Sequence, residues 1–319
     1  MLYQPALAVD RRTTTVGSRR ELCARLLAVA AVAFAGVFVV YLLAVRTRWG
    51  PGFEDSALAG ARQHRGGTWY GDADRWLNRI TAESFALSLA VIAAVGLVRR
   101  RRLLALCGVL TAAGAVVGAR LLKGALPGRP QLGPAGGAAH AASQAPNTLP
   151  SGHTAAAMGL FFAALIVVSR RWYVPVTLLA LPGAAVSGAA TVAAHWHRLS
   201  DAVAADLLAL AVGLAGLAAV AQLGLVLPTR SRVRSRLGPR LMYIFLVCVA
   251  TAALAVGAAF TLRYHGAATV PARDEAAYWA AQSYAVGAAV ACAGAMLAVC
   301  RRLESAGRWP ARGLTILDP

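Results

Sequence analysis

His197–Leu227 reads HRLSDAVAADLLALAVGLAGLAAVAQLGLVL. A histidine, an arginine, a serine and an aspartate stand among its first residues. From Ala202 onward only Asp206 and Gln222 interrupt an apolar run that reaches Leu227. An α-helix needs about 20 apolar residues to cross a bilayer, so this stretch predicts a membrane span with ionisable side chains at its mouth. Comparable runs occur at about 26–45, 84–98, 103–122, 154–169, 172–194, 241–262 and 283–300. The runs at 84–98 and 154–169 are short and need a turn from flanking residues. Composition agrees, with 58% of residues hydrophobic and a mean hydropathy of +0.59. The expected fold class is all-α, a polytopic membrane helix bundle of about eight transmembrane helices.

The net charge of +19 does not point to nucleic acid. The arginines gather at the ends of apolar runs instead of on one soluble face, and no groove-reading or RNA-reading motif accompanies them. Basic residues concentrate in the N-terminal tail (Arg11, Arg12, Arg19, Arg20, Arg25), at Arg99–Arg102, at Arg170-Arg171, in the 230–240 loop and at the C-terminal end. These are alternate loops of an eight-helix chain, and basic loops stay cytoplasmic. An integral plasma-membrane protein with both termini cytoplasmic is therefore expected. The polar residues 1–25 followed by the 26–45 run have the outline of a signal peptide. The run is too long for a signal core, however, and Arg46-Thr47-Arg48 follows it instead of a small-residue cleavage site, so an uncleaved first helix is expected. The cysteines (Cys23, Cys107, Cys248, Cys292, Cys300) lie in or beside apolar runs without paired spacing, and no structural disulfide is expected.

Other features organise the rest. In the polar segment 46–83, Trp69, Ala73, Trp76, Leu77 and Ile80 recur at helical spacing, with Asp72, Asp74, Arg75 and Arg79 opposite. An amphipathic helix near 68–80 is expected, either on the bilayer surface or packed on the bundle. Gly114 and Gly118 favour close helix packing within the chain, and Pro182-Gly183 is expected to bend or loosen the fifth span. Asp206, inside a span, is either a functional group or paired with an arginine or water. His64, His140 and His265 belong to outer loops with no visible constellation.

Three clusters carry chemistry: Leu122–Pro130 (LKGALPGRP, with the chain's single lysine), Pro150-Ser151-Gly152-His153, and His197–Asp201 (HRLSD). By the arginine distribution all three fall on the outer face. Ser151 stands where an N-cap belongs. The first N–H groups of the helix that follows lack intrahelical partners and, with the helix dipole, form a ready anion site. Gly152 permits close approach to the backbone, and His153 is then held beside the bound anion, able to protonate a leaving oxygen. Taken alone, the same residues are also a plain helix start with an interfacial histidine. His197 and Asp201, four apart, share a face if the stretch is helical. The carboxylate then fixes the imidazole tautomer and leaves the other ring nitrogen free to attack phosphorus. Taken alone, the pair is also an interfacial histidine beside an acid at a helix start.

Together the clusters resemble the three-part signature of the type 2 phosphatidic acid phosphatase superfamily: Lys-x6-Arg-Pro, Pro-Ser-Gly-His, then Ser-Arg-x5-His-x3-Asp. The resemblance covers roughly residues 70–225. It implies a six-helix phosphatase-like core, a nucleophilic His197 forming a phosphohistidine, Asp201 orienting it, and His153 as the acid. It implies Lys123, Arg129, Ser151 and Gly152 as the phosphate clamp, with no metal and no cofactor. Two positions depart from the signature. Five residues instead of six separate Lys123 from Arg129, so Leu122 holds the register of the family's lysine, and Arg120, one turn earlier, can share the role. Ala190-Thr191 stand where the family has Ser-Arg, which removes a bidentate phosphate contact; Arg198, beside the nucleophile, is the expected substitute.

The resemblance implies a membrane lipid phosphate phosphatase acting on a lipid phosphate or diphosphate at the extracytoplasmic face. Polyprenyl diphosphate is favoured over phosphatidic acid or phosphatidylglycerol phosphate because of the outer-face site and the likeness to bacterial members. The alternatives are a phosphotransferase with a sugar or lipid acceptor and a catalytically silent lipid-phosphate binder. The expected organisation is a basic tail (1–25), the membrane core (26–227) and a C-terminal extension with two further spans (228–319). Expected partners are the lipid phosphate substrate and membrane lipids; the sequence sets neither the oligomeric state nor the role of the extension.

Overall fold

A computed structural model of the chain describes residues 11–130, 144–145, 147–228 and 237–305. Within them the helices are α1 (Arg11–Tyr41), α2 (Trp49–Gln63), α3 (Thr68–Leu77), α4 (Ala82–Val98), α5 (Arg102–Ala125), α6 (Gly152–Val167), α7 (Tyr173–Ala193), α8 (Leu199–Gln222), α9 (Leu237–Gly266) and α10 (Val270–Cys300). A π-helical turn, Leu42–Arg46, prolongs α1. Two short antiparallel clips complete the described chain. β1 (Arg129–Pro130) pairs with β2 (Gln144–Ala145), and β3 (Val226–Pro228) pairs with β4 (Leu303–Ser305). His140 and the arginine-rich linker up to residue 236 lie outside the described residues.

This is an all-α, integral membrane protein with several spans. Six helices are long and apolar enough to cross a bilayer: 19–46, α5, 170–193, α8, α9 and α10. The pair α3 and α4, bent by 64° at the break between them, makes a seventh if taken as one span. The 16 residues of α6 reach about 24 Å at 1.5 Å per residue, short of the ~30 Å hydrocarbon core. Each of the eight apolar runs thus holds a helix, but those at 84–98 and 154–169 do not cross unaided.

α8 is central, packed by α1, α5, α6 and α10, while α6 lies against α5, α7 and α8. Met158, Phe161, Phe162, Leu165, Leu214 and Met296 fill the space between them. Small residues set the spacing. A Cβ on Gly114 would lie 3.2 Å from Val212 and one on Gly118 3.5 Å from Leu208, so the glycine pair brings α5 onto α8 within the chain. α7 stays helical on both sides of Pro182. The proline removes a single donor, and it does so on an exposed position of the helix.

The polar segment 46–83 forms two helices where sequence periodicity indicated one. The apolar face of α3 packs on the bundle, with Ala73 and Leu77 fully buried against Ala190, Ala193, Ala194 and Tyr278. Trp76 Nε1 donates to Ser187 Oγ on α7 at 3.0 Å. α2 had no sequence counterpart; it packs against α10.

Candidate active site

The site assembles where the starts of α6 and α8 meet the end of α5. Ser151 is the N-cap of α6 and is wholly buried; its Oγ accepts from Thr154 N at 3.4 Å and from Thr154 Oγ1 at 3.1 Å. Its backbone N–H donates to the Asp201 carbonyl at 2.9 Å. One hydrogen bond therefore locks the start of α6 to the first turn of α8. Nothing lies within 4 Å of the place a Gly152 Cβ would occupy, so open space faces the unpaired N–H groups of α6, as an anion there requires.

The His197–Asp201 contact is present, by a route different from a shared helical face. His197 precedes α8, whose N-cap is Arg198, and Asp201 is the third helical residue. A carboxylate there turns back toward the cap, and Asp201 Oδ2 accepts from Arg198 N at 3.2 Å. The same oxygen lies 3.1 Å from His197 Nδ1 and accepts from Thr148 Oγ1 at 2.7 Å. An ionised carboxylate only accepts, so against ionised Asp201 the proton of this contact sits on His197 Nδ1. Asp201 is fully buried and the His197 side chain is 10% exposed, which fixes the ring while leaving an edge open.

Above His197, the His153 ring on α6 meets Trp196 edge-on at 5.1 Å. Burial holds the His153 pKa below the ordinary histidine value, and the nearby His197 and Lys123 add to that. Lys123 occupies the last turn of α5. It shares the inward side of that helix with buried Ala115 and Ala119, while Arg120 is exposed. Leu122 packs with Val37, Tyr41, Val45 and Leu149, so the shifted register puts an apolar residue into the core and the lysine above it. Arg129 lies in β1 opposite Ala145, and its side chain is outside the described residues.

Thr191 is wholly buried, and its Oγ1 donates to Gly188 O at 2.7 Å within α7. Its carbonyl accepts from the N–H groups of Trp196 and His197 at 2.9 and 3.0 Å. The position of the family's arginine thus braces the histidine turn and supplies no cation. Arg198, the expected substitute, is engaged elsewhere: its guanidinium meets Asp55 on α2 at 2.5 Å. His195 turns away from Asp201. Its φ is +61°, and its Nε2 lies 3.0 Å from Leu58 O. Asp206 is fully buried in α8 with neither carboxylate oxygen hydrogen-bonded among the described residues, so no arginine pairs with it.

Sequence reasoning missed Thr148 and Asn147. Thr148 supplies a hydroxyl donor to Asp201 Oδ2. Asn147 braces the turn before Pro150, donating to Leu149 O at 2.8 Å and accepting from Leu149 N at 3.2 Å. The only signal was their polarity just ahead of a proline. Among the described residues, no three His, Cys, Asp or Glu side chains converge as a metal-binding group.

Residues 102–225, from the start of α5 past the end of α8, match the family model of the PAP2 superfamily. The matched stretch holds all three clusters, and the chain around it is a membrane protein with several spans. No curated protein and no solved structure matches it.

Proposed function

We infer that this protein is a metal-independent lipid phosphate phosphatase working through a phosphohistidine. The observation that carries the reading is the single oxygen, Asp201 Oδ2, which meets His197 Nδ1, the Arg198 N–H and the Thr148 hydroxyl and so holds the ring; in this reading Nε2 is the attacking nitrogen. The phosphate of the substrate sits against the N–H groups at the start of α6, with Lys123, Arg129 and Ser151 around it. His197 Nε2 attacks phosphorus as the bond to the bridging oxygen breaks, and His153 gives its proton to the leaving oxygen. Water then attacks the phosphohistidine, passing a proton back to His153 and releasing phosphate. Preorganised donors in a site shielded from bulk water supply most of the rate enhancement.

The substrate in this reading is a membrane lipid carrying a phosphate or diphosphate, polyprenyl diphosphate in the first instance, reached from the extracytoplasmic leaflet. Arginine placement supports that side of the membrane. Domain roles follow the same reading: residues 26–227 form the phosphatase core, 1–25 a cytoplasmic tail and 228–319 an added pair of helices. One observation favours a second reading, a binder without turnover: Thr191 contributes no cation and Arg198 is held by Asp55. Trapping by an alkaline detergent quench, with a lipid radiolabelled in its phosphate, separates the two. A phosphoamidate on His197, absent from His197→Ala, is expected; a protein that retains the lipid but never labels is the binder.

A further inference from the structure

The turn that carries His197 is gripped from one side by a helix outside the matched family segment. α2 makes three contacts with it in one helical turn of its own length. Glu54, 3% exposed, accepts from the backbone N–H of Ser200 at 2.8 Å. Asp55 holds the Arg198 guanidinium at 2.5 Å. The Leu58 carbonyl meets His195 Nε2 at 3.0 Å. The gripped positions, 195, 198 and 200, bracket His197 on both sides. A buried carboxylate at the first turn of α8 also satisfies an N–H that has no intrahelical partner and sits at the positive end of the helix dipole.

α2 is held in turn by α10. A Cβ on Gly60 would lie 2.1 Å from the Asp274 carbonyl and 2.9 Å from Tyr278 Cβ, so the two helices touch backbone to backbone. His64, at the end of α2, stacks on Tyr278 with centroids 5.0 Å apart. α10 itself is fixed to the core, where Gln282 Nε2 donates to Ala189 O on α7 at 3.1 Å.

We propose that Glu54 and Asp55 are positioning residues for the nucleophile, and that α10 is the buttress that holds them against its turn. This rests on the phosphatase reading of the site. It gives the C-terminal extension a task in the chemistry: a rigid path from α10 through Gly60 and α2 to Arg198 and Ser200, setting the direction of His197 Nε2. Glu54 acts as an oxygen acceptor for a backbone N–H, so an amide oxygen replaces it and a methyl does not.

The test uses the full chain in detergent, comparing Glu54→Ala, Glu54→Gln and Gly60→Ala with wild type. Two readouts are followed: phosphate release from prenyl diphosphate, and the rate at which diethyl pyrocarbonate modifies His197, by mass spectrometry. Glu54→Ala and Gly60→Ala are expected to lower kcat tenfold or more with KM within twofold. Both are expected to change the His197 modification rate at least threefold, while Glu54→Gln stays near wild type in both measurements. Wild-type release that depends on His197 but is untouched by Glu54→Ala overturns this inference and leaves the phosphatase reading intact. Absence of release by wild type overturns the phosphatase reading, and the modification rate then decides whether α2 positions His197. An unchanged rate in Glu54→Ala, or equal losses in Glu54→Ala and Glu54→Gln, contradicts the positioning role.

Discussion

Asp201 Oδ2 is the busiest atom of the site, taking hydrogen bonds from Thr148, His197 and Arg198 N. Asp201→Asn keeps the shape but offers an oxygen or an NH2 in that place, so His197 loses its fixed tautomer. A fall in kcat of about 10²–10⁴ is expected, measured against intact binding of the same lipid. Arg198→Ala removes a guanidinium that Asp55 holds beside the nucleophile. If one of its remaining donors reaches the phosphate, KM rises about tenfold, the size of one charge-assisted hydrogen bond of ~1.4 kcal/mol; full activity in the variant eliminates Arg198 as a phosphate ligand. His195 gives a pH signature. Burial opposes its protonation, Arg65 and Arg62 add to that, and the Leu58 carbonyl works the other way, leaving its pKa below the ordinary histidine value. The unfolded chain then takes up the proton first. Stability is held above pH ~6.5 and falls as the pH drops through that value, and His195→Gln should flatten the acid side of the thermal-unfolding profile. At this scale the sequence exposed His153, His197, Asp201 and Ser151 because fixed spacing ties them to helix starts. It concealed Thr148, Glu54 and Asp55, whose partners lie 53, 146 and 143 residues away in the chain.

Helices were legible wherever apolar runs were long, because a membrane span leaves its length in the sequence. The break between α3 and α4 is set by a local capping box at Thr81 and Ser84, and the start of α6 by the Ser151 N–H on the Asp201 carbonyl, and neither leaves a change in hydropathy. α2 was invisible: its residues WGPGFEDSALAGARQ carry glycines, a proline and two acids, and its helicity depends on packing against α10. Close contacts between elements predict their own failures. A Cβ on Gly159 would lie 3.0 Å from Ala115 Cβ and 3.3 Å from the Ala112 backbone. Gly159→Val should therefore push α6 from α5 and lower stability by about 1–3 kcal/mol, read as a drop in the unfolding midpoint in detergent. Because α6 carries Ser151 and His153 at its other end, residual activity should fall as well.

The molecule combines a four-helix segment, α5–α8, that bears the proposed reacting groups with further helices, of which α2 and α10 brace the turn before α8. The segment was recognisable from three short motifs in order, and the family match over residues 102–225 covers the same helices. The bracing helices leave no motif because their work is done by shape and by backbone contacts such as Gly60 on Asp274. The central claim concerns the whole assembly: a histidine fixed by a buried aspartate, beside the start of α6, hydrolyses a lipid phosphate without metal. Its most direct test is phosphate release by the purified protein in EDTA, over a panel of prenyl diphosphates and glycerolipid phosphates, beside His197→Ala. The account predicts release from at least one of these lipids and its loss in the variant. Release that persists in His197→Ala, or none from any lipid by a folded protein that still binds them, would contradict it.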